Sequence, residues 1–418
     1  MLNAENELKK WAPVLEHADE APITDSYKKA VTAKLLENTE IALKEQAVQS
    51  SFGSLNETNQ NTGSISTFDP VLISLVRRAM PNLIAYDVAG VQPMSGPSGL
   101  VFSMKARYGS GAITNADVEA FDTEANTAFS GTGAQVGGAF DSPAITAGTG
   151  IATGTGEIAG NNPGTNDLAE MGFSIEKSTV TAKTRQLKAE YTMELAQDLK
   201  AVHGLDAESE LANILSGEIL AEINREVIRE IVVNAKVGAQ TSSTPGTFAL
   251  NTDGDGRWAV ERFQSLLFEI DKEANVIAQQ TRRGKGNFVI ASSNVASALA
   301  ATGNITFGGA DLKVDNMGNT FAGTLNGGLK VYIDPYATTD YATVGYKGSN
   351  AFDAGMFYCP YVPLTMVRAV GESTFQPKIA FKTRYGLVAN PLVDEFNSPG
   401  EAGNNPYFRT MKVTQING

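Results

Sequence analysis

Several short strings carry residue types that could do chemistry. Asn251-x-Asp253-x-Asp255-Gly256 matches the first half of a calcium loop, where oxygen ligands alternate and a glycine makes the turn. Position twelve of such a loop needs a bidentate glutamate; Arg262 stands there, and Glu261 is one residue off. The string fits a capped acidic turn ahead of a helix, the reading we prefer. Gly131-x-Gly133-x-x-x-Gly137 and Gly148-x-Gly150-x-x-x-Gly154 have the wrong spacing for dinucleotide loops, and neither lies between a strand and a helix. Gly284-Lys285-Gly286 lacks the upstream glycine and the hydroxyl residue of a phosphate-binding loop.

The side chains that could act as nucleophile or base are few. His17 and His203 are the two histidines, so a multi-His metal site is excluded. Cys359 is the one cysteine, which excludes an intramolecular disulfide and a four-cysteine zinc site. His203, beside Gly204, has no G-x-S-x-G or HExxH string around it and reads as a turn residue. Cys359, between Tyr358 and Pro360, reads as a small buried apolar residue. Glu208 and Glu210 read as a solvated helix face. Arg282, Arg283 and Lys285 form the densest cation cluster. It reads either as a solvated loop or as a contact with an acidic neighbouring subunit. No nucleophile, base and orienting group can be named together, so the sequence predicts no catalytic site, no cofactor and no metal.

The whole composition points the same way. The chain has 418 residues, room for two or three domains. Its 33 basic and 46 acidic residues give a net charge of −13, which does not suit a DNA-wrapping protein. Hydrophobic residues at 42% are ample for a packed core. The N-terminus lacks a basic start and an apolar stretch, and the nearly charge-free run from Ala125 to Gly156 has few large apolar residues. The expectation is a soluble chain made in the cytoplasm and not seated in a membrane.

The elements that must position these residues fall into blocks of helix and strand, without a repeating βαβ unit, so the expected class is α+β. Residues 1–45 are charged and helical, with Val31, Leu35, Leu36, Thr39 and Leu43 approximating one narrow face that needs a partner. Residues 46–69 are polar and read as an extended arm or linker. A short helix is expected around Val71–Arg78, before Pro81. Gly99–Tyr108 reads as a strand, and Phe173–Arg185, alternating with period two, as its return partner. Between them, ten glycines in Gly131–Gly164 predict a long flexible loop. A long helix is expected from Asp206 to about Lys236, with Leu211, Ile214, Leu215, Ile219, Ile223, Val227, Ile228, Ile231 and Val232 inward. A second helix is expected over Arg257–Arg282, with Phe263, Leu266, Leu267, Ile270, Ala274 and Ile277 inward. Asn287–Ala291, Lys330–Ile333 and Phe375–Val388 read as strands, and a short helix starts at Ser293.

Several strings resemble the major capsid protein of T-even-like tailed bacteriophages. They are Val76–Ala85 (VRRAMPNLIA), Gly90–Met94 (GVQPM), Arg185–Ala189 (RQLKA), Glu194–Gly204 (ELAQDLKAVHG), Glu222–Val227 (EINREV), Val344–Gly348 (VGYKG) and Phe381–Gly386 (FKTRYG), in the family's order. The resemblance implies the Hong Kong 97 capsid fold. It divides the chain into an N-terminal helical propeptide (1–45), an N-terminal arm (46–95) and an extended loop (96–192) carrying the Gly-rich insertion 131–164. A peripheral domain with the spine helix (193–302), an axial domain (303–360) and a C-terminal return (361–418) follow. It implies homo-hexamers in an icosahedral or prolate shell enclosing DNA without sequence-specific binding. A pentameric vertex paralogue, a scaffold and a prohead protease would be the other partners, and the virion the location. That protease would cut after Glu in a Leu/Ile-x-Glu motif, placing the maturation cut after Glu45, with Glu37 as competitor. Two departures stand out: low-complexity sequence where relatives carry a larger folded insertion, and a shorter N-terminal piece. The competing readings are the vertex paralogue, an encapsulin-like cellular shell and, in a different class, a hydrolase.

Overall fold

The computed structural model describes residues 2–16, 25–51, 83–109, 126–132, 148–158, 168–254, 258–303, 320–325, 328–350, 352–371, 376–389 and 403–416, with 23, 120, 256, 305 and 306. The expected arm over 52–69, the helix at 71–78, most of 131–164 and Asp255 lie outside the described residues.

Two helices open the chain, α1 (Leu2–Leu15) and α2 (Ser26–Ser51). Asp25 starts α2 by accepting from the Tyr27 backbone N–H at 2.9 Å. Val31, Leu35, Leu36 and Thr39 are buried as the spacing predicts, and Thr32, Ala33 and Asn38 join them. The face is therefore wider than the apolar residues alone suggest, and its partner lies within the chain: Trp11 and Leu15 of α1 share its core. Asn38 donates from Nδ2 to the carbonyls of Met94 at 2.8 Å and Tyr361 at 2.9 Å. The polar arm expected from residue 46 begins instead as helix, because α2 runs through Glu45 to Ser51 on good helix formers, Glu, Gln and Ala.

After α3 (Ala85–Val88) and β1 (Gly90–Val91), β2 (Ser98–Tyr108) pairs antiparallel with β3 (Met171–Thr181) from Ser98↔Thr181 to Tyr108↔Met171. This is the expected long two-stranded excursion. Its glycine-rich connection is not all coil. Thr132 and Thr149 exchange two backbone hydrogen bonds of 2.9 Å, and α4 (Thr153–Gly156) adds one turn. Glycine permits the close approach: a Cβ on Gly131 would lie 2.3 Å from the Thr149 carbonyl oxygen.

β4 (Lys183–Glu190) follows β3 after Ala182 alone, then α5 (Met193–His203) and α6 (Ala207–Asn234). Asp206 caps α6, accepting from Ser209 N–H at 3.4 Å. Its 28 residues span ~42 Å. Leu215, Ile219, Ile223, Val227, Ile228 and Ile231 are buried as expected. Ile214 is not: it is 64% exposed, because the periodic run is broader than the face that meets the core.

The remaining elements are β5 (Ala235–Val237), β6 (Thr247–Ala249), α7 (Ala259–Thr281), β7 (Phe288–Ser292), α8 (Ser293–Ala301), β8 (Ile305–Thr306), β9 (Thr320–Leu325), β10 (Leu329–Asp334), β11 (Tyr341–Gly345), β12 (Met356–Val370), β13 (Pro377–Ala389) and β14 (Asn405–Thr414). They build two sheets. In order β1-β12-β13-β4, the first backs α6 and α2, and one core joins Leu35 and Leu36 to Ile223, Tyr358 and Phe381. Its β12 shifts register after Pro360 and again after Val362, beside Pro363, since proline cannot donate to the ladder. The second sheet, β5-β14-β11-β7-β10-β9-β8 with β6 beside β14, is covered by α7 through Leu266, Ile270, Ala274 and Ile277. Phe263 and Leu267 are partly buried at its edge. The expected boundary at 302/303 runs through this sheet, where β7 and β10 pair in parallel, Phe288↔Lys330 to Ser292↔Asp334. Mixed sheets with helices in blocks make the class α+β, as the sequence predicts.

Candidate assembly surfaces

The β2–β3 ribbon has two unlike faces, because alternate residues point to opposite sides. One face carries Val101 and Val180, buried against Met94, Phe357 and Cys359. Arg107, on the same side, is fully buried and donates from Nε to Ser174 Oγ at 2.8 Å. The other face carries Leu100, Phe102, Met104, Phe173 and Ile175, between 45% and 65% exposed. Register sets Met104 opposite Ile175 and Ala106 opposite Phe173, so these side chains form one stripe. A contiguous apolar stripe in water marks an interaction surface.

A second such surface is α5. Thr192 Oγ1 accepts from Leu195 N–H at 3.2 Å to start it, and Gly204 ends it at φ +67°. No residue of α5 is buried. The sequence reading missed this helix, although both capping signals were present. His203 is its exposed last residue.

Ion pairs hold the scaffold behind these surfaces. Arg185 on β4 reaches α6, donating to Glu222 at 2.7 Å and Glu226 at 2.5 Å, and to the Tyr385 hydroxyl of β13 at 2.5 Å. Burial opposes the Arg185 charge, but Glu226 and Tyr385 outweigh it and raise its pKa. Burial likewise pushes Glu226 up, while Tyr385 and Arg185 hold it below its ordinary value. Arg225 of α6 pairs with fully buried Asp334 at 2.5 Å, and Tyr341 donates to the same carboxylate at 2.7 Å. Arg409 of β14 and Glu273 of α7 form a buried pair, and Ala239 N–H donates to Glu273 at 2.8 Å. Glu208 is paired with Arg368 rather than merely solvated, a long-range contact that composition cannot show.

The cation cluster separates. Arg283 lies 3.5 Å from Asp353, Lys285 pairs with Asp271, and Arg282, exposed, closes α7 in the left-handed region at φ +53°. The calcium string behaves as a turn. Asp253 accepts from Ser243 N–H at 2.8 Å, from Ser243 Oγ at 2.5 Å and from Ala249 N–H at 2.9 Å, which together lower its pKa. Asn251 Oδ1 accepts from Arg262. Among the described residues, no group of three His, Cys, Asp or Glu could hold a metal ion. Cys359 is buried, which pushes its thiol up to about 12. No described helix is long and apolar enough to cross a membrane. Glu37 of α2 accepts from Lys10 Nζ at 2.7 Å and Trp11 Nε1 at 3.0 Å; Glu45 lies nearer the helix end.

Among the described residues, ion pairs join elements within the chain while apolar faces on the ribbon and α5 stay in water, an arrangement that suits a subunit made to assemble. The family model of major capsid protein Gp23 matches residues 65–413. The chain is 41% identical to the major capsid protein of Salmonella phage ViI, over 98% of this chain and 97% of the relative. It is 38% identical to that of Enterobacteria phage T4, over 98% of each. Similarity to the capsid vertex protein of phage T4 is 30% over 54% of each chain. Among solved structures, the capsid of Myoviridae phage XM1 aligns at a TM-score of 0.40 and 11% identity, over 80% of this chain and 92% of that one. The chain belongs to the major capsid protein Gp23 family, a family of bacteriophage structural proteins.

Proposed function

We propose that this chain is the hexamer-forming subunit of a phage head shell of the Hong Kong 97 type, enclosing DNA without reading its sequence. The observation that carries this is the ribbon stripe: five large apolar side chains lie 45–65% exposed on a two-stranded excursion. An isolated subunit leaves that stripe in water at roughly 25 cal/mol per Å², whereas a neighbouring copy covers it. A vertex paralogue fills the five-fold positions, and a scaffold and a prohead protease act before the shell matures. The cut falls after Glu45, with Glu37 the competitor. Arg282 extends from the end of α7 toward an acidic patch of the next subunit, Arg283 and Lys285 behind it. Synthesis in the host cytoplasm precedes packaging. Sizing chromatography of the concentrated chain, followed by electron microscopy, tests the reading. Megadalton particles with six-fold capsomers are expected; a monomer at every concentration, with and without the assembly proteins, would refute it.

A further inference from the structure

We propose that Lys347 is a proton-operated latch on the N-terminal layer of α1 and α2: the layer seats most firmly over a neutral amine and loosens when that amine carries a proton. The inference concerns the intact subunit and stands apart from the shell reading. Lys347 lies two residues beyond the end of β11, and its backbone is fixed to Asn287. It donates its N–H to Asn287 Oδ1 at 3.0 Å and accepts from Asn287 Nδ2 at 2.5 Å. With the backbone held there, the side chain leaves the second sheet and its amine donates to the Tyr86 carbonyl of α3. Tyr86 belongs to the core that α1 and α2 share, so Lys347 joins the sheet to that core.

The first turns of α2 pack on the same residues. Lys28 lies 5.5 Å from the centroid of the Tyr86 ring and 3.9 Å from the Asp87 carboxylate. Tyr27 donates from its hydroxyl to the Val91 carbonyl. Val31, Leu35 and Leu36 are buried in one core with Tyr86, Val88 and Val91. Two ammonium groups therefore meet at α3, one from the layer and one from the sheet. Lys28 has a carboxylate beside it. Lys347 forms no ion pair among the described residues, and its hydrogen bond goes to a neutral carbonyl. A charge so placed is poorly compensated.

Burial lowers the Lys347 pKa from 10.5 to about 8. Asp87 of α3 and Asp25 ahead of α2 pull it up, while Lys28 of α2 and Lys330 of β10 push it down. With two charges of each sign around it, burial decides. Tyr27, Tyr86 and Tyr332 have pKa values raised by burial and stay neutral below about pH 10. Lifting α2 away removes Asp25 and Lys28 together, one charge of each sign, and admits water to the amine. Its pKa then returns toward 10.5, so opening takes up a proton. Below about pH 8 the amine is charged whether the layer is open or closed, and opening is easiest. Above that, the closed layer covers a neutral amine and the open one a charged amine, so opening becomes harder up to about pH 10.5. For this pair of pKa values the opening equilibrium falls about tenfold between about pH 7 and about pH 9.

Hydrogen exchange of the α2 amides from Val31 to Thr39, in the full chain, tests this. It is read as protection relative to the free-peptide rate at each pH, which reports local opening. Protection should rise about tenfold between about pH 7 and about pH 9 in the parent, and stay level in Lys347→Met. Asn38 supplies the control for a layer that is merely looser, since its Nδ2 donates to the Met94 and Tyr361 carbonyls. Asn38→Ala should lower protection at both pH values and keep the tenfold rise. Should Lys347→Met fail to fold, Lys28→Met answers the question: without the ammonium that pushes Lys347 down, the rise should begin at a higher pH. Equal rises in the parent and in Lys347→Met, or a Lys28→Met profile that superimposes on the parent's, would overturn the proposal. Loss of the rise in Asn38→Ala would overturn it too, because the pH dependence would then belong to packing and not to the amine.

Discussion

Lys347 shows how one residue can report on the core. Its amine donates to the Tyr86 carbonyl. Burial lowers its pKa from 10.5 to about 8; Asp87 pulls it up, while Lys28 and Lys330 push it down. A base whose folded pKa is depressed makes folding costly below that pKa, and the cost fades as pH rises toward the unfolded value. Buried Tyr86 and Tyr358 have raised pKa values, so ionisation in the unfolded chain starts to oppose stability at higher pH. A comparison with a variant removes that background. The melting temperature of Lys347→Met relative to the parent should be higher at about pH 7 than at about pH 9.5. A difference that stays flat with pH would show that the amine is not charged at a cost. Arg409 offers the opposite case. Arg409→Met leaves Glu273 buried without its cation and should cost about 3–5 kcal/mol in urea unfolding. A loss under about 1 kcal/mol would mean that water reaches the carboxylate. Neither residue was legible in the sequence: Arg409 and Glu273 stand 136 positions apart, and no local pattern joins them.

Among the elements, α6 makes the sharpest contrast between pattern and position. Ile214 and Ile223 both fit its apolar spacing, yet Ile223 is fully buried and Ile214 is 64% exposed. Ile223→Asp should give insoluble or unfolded chain, because an unpaired buried carboxylate costs several kcal/mol. Ile214→Asp should stay folded, with a melting temperature close to the parent's. Equal damage from both would mean that α6 is covered on two sides in the subunit. Periodicity revealed the length of α6 because 28 residues repeat the signal, but its rotation depends on what lies across the interface. The return strand was legible for the same reason: Phe173–Arg185 alternates with period two, and β2 and β3 pair over eleven residues. Which face turned outward was not legible, since Val101 and Phe102 are both apolar and only tertiary contact separates them. α5 escaped notice because its four large apolar residues, Met193, Leu195, Leu199 and Val202, are spread among polar ones and give a weak period, even with Thr192 and Gly204 marking its ends. The second sheet was hardest to read, as β7, β10, β11 and β14 come from segments spread over more than a hundred residues.

At the scale of the whole molecule, the N-terminal helices are a layer of the core and not a loose tail. Trp11, Leu15, Val31, Leu35 and Leu36 are buried in the same core as Leu83, Tyr86, Val88 and Val91. Net charge explains little of any processing here, because removing 1–45 takes away six lysines and nine acids and leaves −10. Packing matters more. A protease needs several residues in extended form, and local opening starts where burial is least. Glu37 is held by Lys10 and Trp11 and flanked by buried Leu36 and Asn38, so opening there must unpack α2. Glu45 is six residues from the end of α2 at Ser51, within reach of end fraying. Cleavage of the isolated subunit should therefore be faster after Glu45 than after Glu37, and the shell protein should begin at Gln46. Five large side chains at roughly 1.5–3 kcal/mol each would still hold the cut piece against the core. Native mass spectrometry of the cleaved subunit should find residues 1–45 bound, and denaturing conditions should release them. A chain made without 1–45 should expose Val88 and Val91 and bind an apolar dye more strongly than the parent. A mature protein starting at Met1 sinks the cut, and a start at Asn38 moves it to Glu37. A fragment that leaves freely after cutting would show that the N-terminal layer contributes far less than its burial implies.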